Sequence, residues 1–388
     1  MKISAIICEY NPFHFGHAYH ISEIKKNSDA VIAVMSGSFT QRGIPAIVSK
    51  YERAHMALEG RVDLVLEPPI PHCASTAQYF ARAGIDIIEN SGVVSEISFG
   101  SESGDIARLT AVAENMNSPA FEAALAQASA NAHGAHFGKL YFSVYSELFG
   151  KTPETDGSNN ILAIAYLREL LRRKSSITAH TVRRSGLAFN DKDGDGFLCA
   201  SAARRMICEG EMPPLPKASE DIIRACSAIG AIAREENLFL PFAAFLRASS
   251  VQELCRFCEM NEELVSRLIS AAHSACNMAS LLEFSRTRSY SAARIDRAML
   301  FSFLGITEAD LGEVGYTSLL AANETGRKIL SEISKKGHLF VLTKPADYKT
   351  SPFAAQYETA LRAEALWTLA LDKPAPADML VKSKPYIK

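Results

Sequence analysis

The chain has a single tryptophan in 388 residues and no excess of either charge. Its 41 Lys and Arg stand against 43 Asp and Glu, a formal net charge of −2. Such a balance excludes indiscriminate polyanion binding and leaves room only for a local basic face. Long hydrophobic runs are missing as well. Stretches such as Val31–Met35 and Leu64–Leu66 are strand-sized, far short of the ~20 apolar residues of a membrane helix, so no membrane partner is expected. The eight cysteines follow no secreted disulfide spacing, and Met1–Ala5 runs straight into an apolar segment without the pattern of a secretory leader. Both features point to a reducing cytoplasm. There is no internal repeat and no low-complexity tract. What is abundant is apolar content, 48% over the whole chain, enough for a large core and for two domains.

Apolar runs and helical spacing alternate through the first half. Ile3–Cys8, Ala30–Met35, Val62–Leu66, Glu96–Phe99 and Ile177–Val182 read as strands. Helical stretches lie near His17–Lys26, Lys50–Glu59, Thr76–Asn90, Ile106–Glu147 and Asn160–Lys174. This order builds an α/β, Rossmann-like parallel sheet with right-handed crossovers, which binds ligands at the carboxyl ends of its strands. Past Pro213-Pro214-Leu215-Pro216 nearly everything to Leu371 has helical periodicity. The proline cluster is therefore the expected boundary between a catalytic domain, 1–212, and a mainly α-helical domain, 213–388.

The first strand leads into Asn11-Pro12-Phe13-His14-Phe15-Gly16-His17-Ala18, an H-x-G-H pattern at a strand-to-helix turn. A helix N-terminus attracts anions through its unpaired N–H groups, and Gly16 lets a phosphate approach the backbone. His14 and His17 can donate hydrogen bonds to a phosphoryl group that gains charge during displacement. They are the candidate catalytic pair for chemistry at the α-phosphate of a nucleoside triphosphate. The plainer alternative is an ordinary turn with one capping histidine. Only His20 lies at helical spacing from the pair, so no dedicated metal site is expected.

The stretch Ile7-Cys8-Glu9-Tyr10-Asn11-Pro12-Phe13-His14-Phe15-Gly16-His17-Ala18-Tyr19-His20 resembles the nucleotide-binding segment of the bacterial tRNA(Met) cytidine acetate ligase family. The likeness continues through Val34–Lys50, at Phe99–Gly104 and at Ser158–Leu162, dense in the first half and thin in the second. It implies that ATP and acetate form acetyl-adenylate, which then acetylates the N4 amine of the wobble cytidine of elongator tRNA(Met). Magnesium would accompany the nucleotide, and DNA is not an expected partner. It further implies ATP contacts along Ile7–His20, at Gly100, at Asn160 and at Arg183 or Arg184. Gly100 would let adenine or ribose lie on bare backbone. Asn160 would bond base or ribose through its amide, or else cap a helix. Related nucleotidyltransferases hold phosphates with Ser-x-Ser/Thr-x-x-Arg at a helix start. Ser201 and Arg204 fit that pattern, while Cys199 stands where the first hydroxyl is usual.

Other features are less specific. Lys50 could reach phosphate or lie in solvent, and Arg42 in the polar loop Gln41-Arg42-Gly43 could meet phosphate or RNA. Asp191–Leu198 opens like a calcium-binding loop, but Ala202 stands where the bidentate glutamate belongs, so it reads as an acidic loop beside the site. Cys255-Arg256-Phe257-Cys258 lacks further ligands and reads as a pair of half-buried helix cysteines. In the second half, Arg286, Arg288, Tyr290, Arg294 and Arg297 form a candidate tRNA-binding patch. Phosphate contacts plus one aromatic stacked on an unpaired base is how RNA loops are held. A small-molecule nucleotidyltransferase shares every phosphate feature but has no need of this patch or of the helical half. A non-catalytic RNA-binding module would have no need of both histidines. A class I aminoacyl-tRNA synthetase would show a second, lysine-bearing signature that is missing here.

Overall fold

The computed structural model describes residues 1–131, 137–184 and 198–388. Five strands of the first half, β1 (Ile3–Cys8), β2 (Ala30–Met35), β3 (Leu64–Glu67), β4 (Glu96–Ser101) and β5 (Thr178–Arg183), pair in parallel in the order β5-β4-β1-β2-β3. Between them run α1 (Phe15–Ile24), α2 (Lys50–Glu59), α3 (Ala77–Asn90), α4 (Ile106–Met116), α5 (Pro119–Asn131), α6 (Phe137–Phe149) and α7 (Ser158–Arg173). β2 reads Ala-Val-Ile-Ala-Val-Met and is buried throughout, as a central parallel strand covered on both faces must be.

Side-chain alternation divides the sheet into two cores. Ile6, Val31, Ala33, Met35 and Val65 face one, which takes in α2 and most of the second half. Ile3, Ala5, Ile32, Val34, Leu64 and Leu66 face the other, filled by α3, α4 and α7. The chain moves outward from β1 in one direction to β2 and β3, and in the other to β4 and β5. The switch point thus lies at the carboxyl ends of β1 and β4, where open α/β sheets bind ligands.

After α8 (Ala200–Cys208), the second half is mostly helical: α9 (Lys217–Ile229), α10 (Phe239–Ala248), α11 (Val251–Leu254), α12 (Glu262–Ser274), α13 (Met278–Ser285) and α14 (Ala292–Leu304). The helical periodicity expected to run on to Leu371 is interrupted by β6 (Thr317–Ala322). This strand pairs antiparallel with β3 and is buried along its whole length. Beyond it come α15 (Glu324–Lys336), β7 (Val341–Leu342), α16 (Ala354–Leu369), α17 (Met379–Lys382) and β8 (Tyr386–Ile387), with β7 and β8 both pairing with β6. The sheet therefore draws strands from both sides of Pro213. Six apolar or small residues, Thr-Ser-Leu-Leu-Ala-Ala, are too short to separate strand from helix by spacing. Their partner lies some 250 positions away in sequence.

Candidate active site

The H-x-G-H turn is held from below and behind. Phe13 is fully buried, and a Cβ on Gly60 would come within 2.3 Å of its ring, so α2 must end in a residue without one. The Asn11 side-chain oxygen accepts from the Ile47 N–H at 2.8 Å, and the Asn11 carbonyl accepts from Arg204 at 2.8 Å. Arg53, fully buried, donates to the carbonyls of Glu9 and Gly37, stapling the segments that follow β1 and β2. Tyr10 and Pro12 are buried with Phe13, so those three side chains shape the turn from beneath. Phe15 and Tyr19 are exposed on α1, while Ile7, Cys8, Glu9, Gly16, Ala18 and His20 are half-buried.

The two histidines hold each other's tautomer. His14 is the N-cap of α1, and its Nδ1 accepts from the Gly16 N–H at 3.0 Å. His17 Nδ1 reaches back to accept from the His14 N–H at 3.2 Å. The rings stack with centroids 3.8 Å apart. Each Nδ1 is committed as an acceptor, so each neutral ring carries its proton on Nε2. Burial, together with the charge of Arg184, lowers His14 to about 4, and burial holds His17 well below the usual histidine range. Both are neutral donors at physiological pH. The Nε2 of His14 is buried and has no hydrogen-bond partner among the described residues. An orphan donor costs about 1–3 kcal/mol, and at the N-terminus of a helix it is suited to an anionic oxygen.

Arg184 lies on the same side of the sheet edge. Its charge adds to the burial that lowers His14, His17 and His20, and it donates to the Asn159 side chain at 2.5 Å. Gly100 leaves room for it, since a Cβ there would sit 3.2 Å from the Arg184 chain. Arg183, one residue earlier, packs on Gly104 instead, as the alternation of a strand requires. His20 bonds the Ser98 hydroxyl at 2.9 Å.

Asn160 is tied to nearby backbone. Its amide oxygen accepts from the Glu102 and Ser103 N–H groups and its amide nitrogen donates to Asp156, so a buried side chain is spent on backbone. The Glu102 carboxylate returns the favour by accepting from the Asn159 and Asn160 N–H groups. The loop after β4 is thereby laced to the start of α7. Nor does Asn160 cap that helix, whose N-cap is Gly157.

Ser201 sits in the first turn of α8 with its hydroxyl 3.2 Å from the Cys199 thiol. Arg204 donates to the Asn11 carbonyl through one of its terminal nitrogens. Lys50 neither reaches phosphate nor lies in solvent: it is fully buried and pairs with Glu67 at 2.9 Å and with Glu364 of α16. The sequence offered no sign of this, because Glu364 is distant along the chain. Segment 191–197 lies outside the described residues. Cys258 is buried and donates to Glu308, Cys255 is half-buried, and all eight cysteines are unpaired.

A cleft of about 1810 Å³ opens beside the nucleotide turn, lined by Gln41, Arg42, α7 residues and the arginines of α14. It does not contain the histidines. It adjoins them through Gln41, whose N–H donates to the Glu9 carboxylate at 2.9 Å. Arg294 and Arg297 face it together, as spacing of three predicts, and both pair with Glu259. Arg286 and Arg288 are exposed. Tyr290 is not a stacking platform. It is fully buried, with its hydroxyl bonded to Asn261 and Glu263 of the neighbouring helix and Arg294 over its ring.

A parallel sheet with an H-x-G-H turn at its switch point defines a nucleotidyltransferase-type fold. The family model described as HIGH Nucleotidyl Transferase matches residues 1–380. A tRNA(Met) cytidine acetate ligase of Acetivibrio thermocellus is 32% identical over 97% of this chain and 96% of its own length. One from Caldanaerobacter subterraneus is 34% identical over 95% and 96%. The crystal structure of Thermotoga maritima TmcAL bound with alpha-thio ATP superposes with a TM-score of 0.90 at 27% identity, covering 100% of this chain and 99% of that one. The chain belongs to the tRNA(Met) cytidine acetate ligase family, within the HIGH nucleotidyltransferases. No helix among the described residues is long and apolar enough to cross a membrane.

Proposed function

We propose that this protein activates acetate with ATP and transfers the acetyl group to N4 of the wobble cytidine of elongator tRNA(Met), in the cytoplasm. The observation that carries the first step is the unsatisfied Nε2–H of His14, beside His17, at the head of α1. The relatives' shared name and the ATP analogue held by the Thermotoga maritima protein support it.

In the first step an acetate oxygen attacks the α-phosphorus. The new P–O bond forms in line as the bond to pyrophosphate breaks. His14 and His17 donate to the non-bridging oxygens, where charge builds, and Arg184 adds a fixed positive charge on the same side. Neutral donors suit this role because they stay in place whether or not the ligand is there. In the second step the cytidine amine attacks the acetyl carbonyl, AMP leaves, and the amine proton passes to solvent. The main demand on the protein is to hold the two partners together. Among the described residues no group of three His, Cys, Asp or Glu could cage a metal ion. Magnesium would arrive on the triphosphate and offset its charge.

The test incubates the protein with α-labelled ATP and acetate, with and without bacterial tRNA, beside a His17→Ala control. Acetyl-AMP or AMP that requires acetate and disappears in the control is the expected result, followed by acetyl label on tRNA. Label transferred from ATP to a metabolite with no need of acetate would move the assignment to a small-molecule nucleotidyltransferase.

A further inference from the structure

Glu259 stands out on three counts. It is a non-glycine residue at φ +67°, in the left-handed region that side chains avoid. It is the common partner of two arginines, accepting from Arg297 Nε at 2.8 Å and facing Arg294 Nε at 3.6 Å. All three line the wide cleft. The second distance is too long for a hydrogen bond, and the Arg294 Nε–H is buried without one. Arg294 is held by a long bond from its terminal nitrogen to the Glu259 carbonyl at 3.5 Å, by charge and by the Tyr290 ring, with its Nε–H left over.

The cleft wall is continuous with the nucleotide turn. Gly43 takes φ +84°, and a Cβ there would lie 2.8 Å from the Arg297 backbone nitrogen, so the loop bearing Gln41 and Arg42 is seated directly on α14. Gln41 in turn binds Glu9 at the end of β1. A strand of RNA lying along Arg294, Arg297 and Arg42 would run towards the site where the acetyl group is made.

We infer that this cleft seats the phosphate backbone of an unpaired RNA loop, and that Glu259 is a built-in counter-anion for Arg294 and Arg297 which a correctly placed phosphate displaces. The inference rests on the acetyl-transfer reading above. A carboxylate already paired with the arginines must be outcompeted, and only a phosphate fixed by other contacts does so well. Glu259 thus suppresses binding of arbitrary polyanions at some expense in affinity for the right one, which is how repulsive elements create specificity. Backbone strain held at such a residue fits a position selected for binding and not for stability.

The experiment compares wild type with Glu259→Gln, which keeps shape and hydrogen-bonding while removing charge. Fluorescence anisotropy is read with a short oligouridylate and with an elongator tRNA(Met) transcript over a series of salt concentrations. The variant is expected to bind oligouridylate roughly 3- to 10-fold tighter, with a salt slope steeper by about 0.7 for each phosphate newly engaged. Its preference for the tRNA should shrink. Unchanged or weaker oligouridylate binding, with the same slope, would overturn the inference. Thermal melting reports whether the variant folds. If it does not, Glu259→Gly, which relieves the positive φ, carries the same comparison. Wild type that fails to bind tRNA even at low salt would sink the RNA reading itself, whereas wild-type binding with no change in the variant would overturn this inference and leave the acetyl-transfer reading standing.

Discussion

His14 does two jobs that one substitution can separate. Its Nδ1 caps α1 and its Nε2–H is left for a ligand. Asparagine is among the best N-caps, so His14→Asn should keep the helix start while removing the distal donor. Alanine removes both. Loss of a preorganised donor to a charge-gaining oxygen lowers turnover about 100- to 1,000-fold. Loss of a cap costs about 1 kcal/mol. The two variants should therefore share the same large fall in acetate-dependent acetyl-AMP formation. They should differ in denaturant midpoint, with Ala lower by the capping term. The assays are single-turnover formation of acetyl-AMP from labelled ATP and chemical unfolding followed by circular dichroism. Activity within tenfold of wild type in His14→Asn would refute the argument, because a capping role alone would then explain the buried ring.

Three further outcomes follow from the geometry. Arg184→Ala should raise the KM for ATP at least tenfold, roughly the worth of a charge-assisted contact, whereas Arg183→Ala on the opposite side should stay within about threefold; equal effects would show the two sides are misassigned. Lys50→Met strands Glu67 and Glu364 together in the core and should cost about 3–5 kcal/mol in urea unfolding, with most of it recovered when both glutamates also become glutamine; a mild effect would mean the carboxylates are not facing one another. Stability should also fall with acid. His14 is depressed to about 4 in the folded chain, so between its unfolded value near 6.5 and 4 the unfolded state binds more protons, and at pH 5 this removes roughly 2 kcal/mol relative to neutral pH. His14→Asn should flatten that slope, and an identical slope in the variant would place its origin elsewhere.

Much of the catalytic half was legible because its signals are local. Largely apolar runs marked β1 and β2 to the residue, since a central parallel strand covered on both faces has little alternative composition. The H-x-G-H turn was legible because the cap, the glycine and the second histidine lie within four positions. The adjacent arginines at the end of β5 left one choice open. Strand alternation turns Arg184 to the histidines and Arg183 to Gly104.

What spacing along the chain determines, then, is the order of strands and helices, the turn that bears the histidines, and the shared face of Arg294 and Arg297. Each of these depends on periods of two to four residues. Tertiary structure alone decided the rest. It put β6 beside β3, brought Glu364 to Lys50, and buried Tyr290 against α12 where a stacking surface had been expected. It also gave the Asn160 amide to the loop after β4 and set Glu259 between two arginines. The physical reason is the same in every case. A side chain's partner is fixed by whichever distant element fills the space beside it, and nothing in the neighbouring few residues records which element that will be.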